Sequence, residues 1–166
     1  MSGDINTELL FADIAKYGSL LDELHGESRS ALTEDIEKLG KTRRAAAMVA
    51  SIIESYYTCA ETMFFRISQY FENSLSDNRW HKDLLERMTL EVAGFRPRVL
   101  STAVYADLFE LLQFRHFKRY YFSLAYEWDK MDEIVKRAER VHIPLKQNLE
   151  DFVTFLIRLR GPEEEA

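Results

Sequence analysis

The chain has a single cysteine, Cys59, among its 166 residues, so no disulfide can form within it. This cysteine usage is typical of proteins in a reducing compartment. Prolines and glycines are also scarce, three and six respectively, which leaves few interruptions to helical segments. No apolar run approaches the roughly 20 residues that a membrane-spanning helix needs. The segment MSGDINTELL carries no basic stretch before an apolar core, so we expect a soluble, cytoplasmic protein without a signal peptide.

The chain also lacks an excess of positive charge, since its formal net charge is -6. Non-specific nucleic-acid binding depends on many phosphate contacts, so any contact of that kind must be local here. No glycine-rich phosphate loop, paired-cysteine metal site or His-Glu-x-x-His helix is present. The four histidines lie in different segments without ligand-like spacing, so we expect no metal site and no cofactor: His25, His81, His116 and His142.

Apolar residues recur at helical spacing along almost the whole chain, and no segment shows the alternation of a strand. With 46% hydrophobic residues, the length suits one domain over 1–166, ending in a frayed tail at 161–166. The pattern predicts an all-α antiparallel helical bundle of four to five main helices. Aromatic residues on the longest helix should pack in the core or in a dimer interface, namely Tyr56, Tyr57, Phe64 and Phe65. The predicted helices span about 5–24, ending at His25-Gly26, then 42–73, 80–89, 101–126 and 129–160, the last kinked or broken near His142 by Pro144.

The stretch Arg115-His116-Phe117-Lys118-Arg119-Tyr120-Tyr121-Phe122 places four groups that are or can become cationic on an aromatic-rich, core-facing helix. A buried, unpaired cation costs several kcal/mol, so such a cluster needs a counter-charge or a function. A phosphate is the natural counter-charge that a protein does not carry itself. The stretch therefore favours a nucleic-acid or nucleotide site.

Several ordered motifs resemble the HepT-like branch of the HEPN superfamily, over roughly residues 42–160. Tyr57, Glu61 and Arg66 on the long helix continue the similarity. A run of ordered motifs is more specific than any one of them. The matching segments are Trp80-His81-Lys82-Asp83-Leu84-Leu85-Glu86-Arg87-Met88, Arg96-Pro97-Arg98-Val99-Leu100-Ser101, Phe114-Arg115-His116-Phe117-Lys118-Arg119 and Tyr126-Glu127-Trp128-Asp129-Lys130-Met131.

The resemblance implies an all-α bundle that forms homodimers. In active members of that branch, an arginine and a histidine from each subunit meet in a shared cleft and cleave RNA without a metal. Such proteins often serve as toxins beside a minimal nucleotidyltransferase antitoxin. That partner binds the toxin and can transfer AMP to a tyrosine near the site.

This chain departs from the motif of an arginine, four to six residues and then a histidine. Arg115 matches the arginine, but the expected histidine positions hold Tyr120 and Phe122. Phe122 also stands where many relatives carry the tyrosine that accepts AMP, which leaves Tyr120 and Tyr121 as candidate acceptors. A tyrosine with a pKa of about 10 is a poor base at neutral pH, although it can donate a hydrogen bond or act as an acid.

Two interpretations of the cluster follow from these residues. In the first, the protein is an RNA-directed toxin and metal-independent endoribonuclease of reduced activity, with Arg115, His116 and Tyr120 as catalytic residues. Lys118 and Arg119 then bind RNA phosphates, unless they form only a solvated face. In the second, it is an inert helical module that dimerises and binds a nucleotidyltransferase or a nucleotide. Fold alone does not choose between them, because function belongs to the site.

Overall fold

The structure, a computed structural model, describes residues 2–72, 80–121 and 126–160, and the side chains of 5–72, 83–119 and 126–160. Its helices are α1 (Ser2–Ser30), a π-helical turn (Ala31–Asp35), α2 (Ile36–Leu39), α3 (Arg43–Glu72), α4 (Trp80–Arg87), α5 (Thr102–Tyr121) and α6 (Trp128–Arg160). Within those ranges the extended backbone pairing amounts to one isolated bridge, between Val92 and Arg96. The predicted all-α fold is confirmed. None of the described helices is apolar over a length sufficient to cross a bilayer.

Long-range contacts establish that neighbouring helices of the bundle are antiparallel. Residues early in α1 lie beside residues late in α3 and α6, and early α5 lies beside the second half of α6. By the same test α3 and α6 run parallel to each other across the bundle. The contacts that fix these directions are Thr7–Tyr70, Glu8–Arg160, Asp22–His142, Tyr56–His142, Glu61–Arg115, Phe71–Phe152 and Ser101–Asn148.

The predicted end of the first helix at His25-Gly26 is wrong. The helical backbone continues past Gly26 through the π-helical turn to Leu39. A glycine inside a helix costs only about 1 kcal/mol relative to alanine, and burial of Ser28 and Ala31 just beyond it favours continuation. The helix ends at Gly40, whose φ of 71° suits glycine and whose N–H donates to the Ile36 carbonyl at 2.8 Å. We call residues 2–39 the N-terminal arm.

The long helix α3 forms the centre of the core, as its apolar stripe predicts. Thr42 caps its start, because the hydroxyl of Thr42 accepts a hydrogen bond from the Ala45 N–H at 3.1 Å. Each fully buried large side chain contributes roughly 1.5–3 kcal/mol by leaving water. The predicted core packing of aromatic residues is confirmed for Tyr56, Tyr57 and Phe64, which are buried, while Phe65 is half-buried.

Buried Arg96 organises the loop that leads from α4 into α5. Its guanidinium donates to the Glu72 carboxylate and to the carbonyls of Arg87 and Leu90 at 2.5, 3.0 and 2.9 Å. The loop therefore stays attached to the end of α3. Ser101 then caps α5, since its hydroxyl accepts from the Val104 N–H at 3.3 Å.

Two further expectations about helix ends need correction. Of the two outcomes predicted for Pro144, a kink or a break, the break is wrong, because α6 is helical from Trp128 to Arg160. Burial of His142 and Leu145 on either side of Pro144 holds this part of the helix against the bundle and offsets the lost backbone N–H. The predicted extension of α5 to Tyr126 is also wrong, because Tyr126 and Glu127 are not helical.

Candidate functional site

The second half of α5 carries the predicted site residues on different faces of one helix, because each residue turns by about 100°. Arg115 points inward and is 6% exposed, whereas His116, Phe117 and Arg119 are exposed and Lys118 is half-buried. The predicted residues are thus adjacent in the chain but divided between the core and the surface. The side chains of Tyr120 and Tyr121, and all of Phe122, lie outside the described part of the chain.

Arg115 forms a buried ion pair with Glu61 of α3. Its Nη1 donates to Glu61 Oε2 at 2.5 Å, and the two side chains are 7% and 5% exposed. The guanidinium carbon also lies 5.7 Å from the centre of the Tyr57 ring, a cation–π contact. Among the described residues, neither Arg115 Nε nor the Tyr57 hydroxyl has a hydrogen-bond partner, although both atoms are buried. Burial raises the pKa of Tyr57, so its hydroxyl stays protonated at neutral pH.

Lys118 and Arg119 share a second carboxylate of α3, that of Glu54. Lys118 Nζ donates to Glu54 Oε2, and Arg119 Nε donates to Oε1 at 3.1 Å. This group is closer to solvent than the Arg115 pair, with Lys118 22%, Arg119 51% and Glu54 19% exposed. Burial alone would raise the pKa of Glu54, but the hydrogen bonds and charges of the two cations outweigh burial and lower it.

The protein itself supplies counter-charges for three basic residues of this cluster, Arg115, Lys118 and Arg119. Glu61 pairs with Arg115, and Glu54 pairs with Lys118 and Arg119. The signal was present in the sequence, since Glu54 and Glu61 are seven residues apart and hence on one face of α3. Lys118 and Arg119 still outnumber the one carboxylate that they share.

A groove of about 560 Å³ borders this surface, between α1 and α3. Arg119 lies at its edge, and three carboxylates line it, those of Glu23, Glu27 and Glu54. These carboxylates make the groove acidic. The groove also contains Cys59, whose pKa is raised to about 11 by burial, so its thiol is not a nucleophile at neutral pH.

A second buried polar cluster joins α1, α3 and α6, and sequence reasoning missed it. The Tyr56 hydroxyl lies 3.0 Å from His142 Nδ1, and His142 Nε2 lies 3.1 Å from Asp22 Oδ1, which can accept a proton on Nε2 and so leaves Nδ1 to accept from Tyr56. The His25 ring stacks on His142 with centroids 4.0 Å apart. Burial, together with the nearby His25, lowers the pKa of His142, although the Asp22 carboxylate acts in the opposite direction. His142 is thus held neutral, with its proton on Nε2.

These histidines come from segments far apart in the sequence, so spacing gave no sign that they meet. Lys146 completes the cluster by donating to Asp22 Oδ2 at 2.8 Å. Tyr56 and His142 are only 3% and 5% exposed, whereas the Asp22 side chain is 52% exposed, so the network runs from the core to the surface. Over the described residues, no group of three or more His, Cys, Asp or Glu side chains is arranged to hold a metal ion.

The model of a family described as HepT-like protein matches residues 48–156, more than half of the chain. That range contains α3 from its second turn, α4, α5 and most of α6, and it leaves out the N-terminal arm. No curated protein and no solved structure matches significantly.

Proposed function

This chain belongs to the HepT-like family, and we propose on that basis that it is an RNA-directed protein of a toxin-antitoxin module. Its activity would be that of a metal-independent endoribonuclease with reduced turnover. The supporting observation is the Arg115-His116 pair, which lies on α5 inside the matched range, with Arg115 fixed by Glu61. Lys118 and Arg119 would bind backbone phosphates beside it.

The chemistry explains why turnover should be reduced. In metal-free RNA cleavage the 2′-oxygen attacks phosphorus while the 5′-oxygen leaves, so a base must take one proton and an acid must supply another. Histidine suits both tasks because its pKa lies near neutrality. Here His116 is the exposed histidine of α5, and Tyr120 replaces the expected one. His116 and Tyr120 are one turn apart on the helix, a spacing at which two side chains can act together.

The alternative is an inert module that dimerises and binds a nucleotidyltransferase or a nucleotide. The burial of Arg115 favours it, since a side chain that is 7% exposed and already paired with Glu61 has limited access to a phosphate. Both proposals share the fold and differ only in whether His116 and Tyr120 move protons. A cleavage assay therefore separates them.

The test is cleavage of a labelled RNA in the presence of a metal chelator. We expect Tyr120→His to raise the rate by about 10²–10⁴-fold, the usual contribution of a positioned acid or base. His116→Ala should remove the residual activity of the unaltered chain. Arg115→Lys is the matched control for the arginine, because it keeps the charge beside Glu61 while removing the planar fork.

Robust cleavage that is the same in the unaltered chain and in Tyr120→His would contradict the assignment of Tyr120 as the disabling residue. If neither protein cleaves RNA, the result favours the alternative, an inert module that dimerises and binds a nucleotidyltransferase or a nucleotide. Circular dichroism of each variant must show an intact helical fold, since Arg115 is part of the core.

A nucleotidyltransferase partner can be tested separately. Co-expression with a nucleotidyltransferase encoded beside this chain should give a stable complex or an AMP adduct on Tyr120 or Tyr121. The transferred phosphate would add negative charge close to Arg119 and compete with RNA. Intact-mass spectrometry detects the adduct, and replacing both tyrosines by phenylalanine is the control. Neither adduct nor co-purification would count against the toxin-antitoxin assignment.

A further inference from the structure

The cations on α5 differ sharply in how firmly their own carboxylates hold them. Arg115 and Glu61 are almost fully buried, so separating them would leave charge unpaired inside the bundle. Lys118 and Arg119 pair with Glu54 nearer to solvent, where the three side chains are 22%, 51% and 19% exposed and water can reach either partner. Only the second group can exchange its partner without disturbing the core.

Glu54 engages the two cations through different oxygens, Lys118 through Oε2 and Arg119 through Oε1. This arrangement matches the way in which two oxygens of a phosphate group would accept the same donors. Glu54 lies on α3, so the carboxylate is delivered by a rigid core helix and not by a loop. Together with Glu23 and Glu27 of α1, Glu54 lines the groove between α1 and α3.

We propose that Glu54 is a built-in counter-ion that masks Lys118 and Arg119, and that RNA binds by displacing it with backbone phosphates. The proposal rests on the proposed function, because it assumes that this end of α5 contacts RNA. Each phosphate contact then replaces an internal pair, so the net gain per contact is reduced. Glu54 therefore sets the affinity for RNA, while Lys118 and Arg119 make the contacts with its phosphates.

Binding to a short, single-stranded, 2′-O-methylated RNA, which cannot be cleaved, isolates this step from catalysis. Fluorescence anisotropy should show that Glu54→Gln binds about three- to tenfold more tightly than the unaltered chain, the effect expected from releasing two surface pairs. The joint variant Lys118→Gln with Arg119→Gln should bind more weakly and show a smaller dependence on salt. Glu133→Gln is the control, since it also removes one carboxylate from a surface pair, with Lys136, but on α6.

Equal affinities of Glu54→Gln and Glu133→Gln, together with weaker binding by the joint variant, would overturn the masking role while leaving the RNA site in place. If the joint variant binds as well as the unaltered chain, then the phosphate contacts themselves are wrong and both proposals fail. Glu54→Ala serves as a second variant if the glutamine disturbs the fold. Unfolding of both variants would show that Glu54 is a structural residue, and would also overturn the proposal.

Discussion

The buried ion pair between Arg115 and Glu61 can be tested by the isosteric substitution Glu61→Gln, which should lower the free energy of unfolding. This substitution keeps the shape of the side chain and removes only its charge. Because Glu61 is 5% and Arg115 is 7% exposed, the guanidinium would remain buried without a counter-charge. Removing one partner of such a pair typically costs about 3–5 kcal/mol. That is a large share of the roughly 5–15 kcal/mol that stabilises a domain.

Urea unfolding followed by circular dichroism measures this cost. With a slope of about 2 kcal/mol per molar, the midpoint should fall by roughly 2 M. Glu133→Gln, which removes a carboxylate from an exposed pair, should leave the midpoint unchanged. The comparison separates the effect of burial from the effect of losing a negative charge.

A double variant that removes both charges tests whether the loss of stability in Glu61→Gln comes from an unpaired ion. Replacing Arg115 by methionine and Glu61 by leucine removes both charges, so no unpaired ion remains in the core. Its loss of stability should be much smaller than the sum of the two single losses, as found when buried pairs are replaced by apolar side chains. Additive losses, or a loss below about 1 kcal/mol for Glu61→Gln alone, would refute the view of Arg115 as a charge held by Glu61.

The remaining predictions concern the His142 cluster and assembly. The pKa of His142 is lower in the folded state than its unfolded value of about 6.5, so the neutral ring stabilises the fold. This contribution is fully present above pH 6.5 and is lost as the pH falls through the folded-state pKa. Urea unfolding across this range should show a weaker pH dependence in His142→Gln than in the unaltered chain. For assembly, we expect a two-fold homodimer of twice the 19.5 kDa monomer mass, with exposed Phe117 beside the shared cleft. Sedimentation as a monomer at micromolar concentration would contradict both the dimer and the shared cleft.

Apolar periodicity was sufficient to predict most of the fold. The stripe along α3 placed that helix within one residue of its observed ends, and Ser101 and Thr42 began helices as capping residues should. Two of the errors, at Gly26 and at Pro144, arose because a single residue was taken as a stop signal. Gly26 and Pro144 each weaken a helix locally, but tertiary packing on both sides outweighs a local cost of this size.

The site was predictable only in part, because sequence patterns report which residues share a helix face and not which helices meet. The cluster on α5 could be located from its composition. Its division into a buried arginine and surface cations depends on how α5 is rotated against α3, which the periodicity of an aromatic-rich helix does not resolve. The contact of His25 with His142 depends on three helices packing together, so spacing along the chain carries no information about it.

A chain can belong to the family without catalysing RNA cleavage, and the positions of Glu54 and Glu61 on α3 bear on this difference. An arginine in the family motif could serve the reaction or the core, and its partner decides which. Glu61 holds Arg115 inside the bundle, whereas Glu54 holds Lys118 and Arg119 where solvent and ligands can compete. Under the proposed RNA-directed function, a phosphate would meet Lys118 and Arg119 first, and would reach Arg115 only if the Glu61 pair is shared or rearranged. RNA binding should accordingly survive the loss of the motif histidine at Tyr120, while cleavage depends on whether His116 can supply the missing proton transfer.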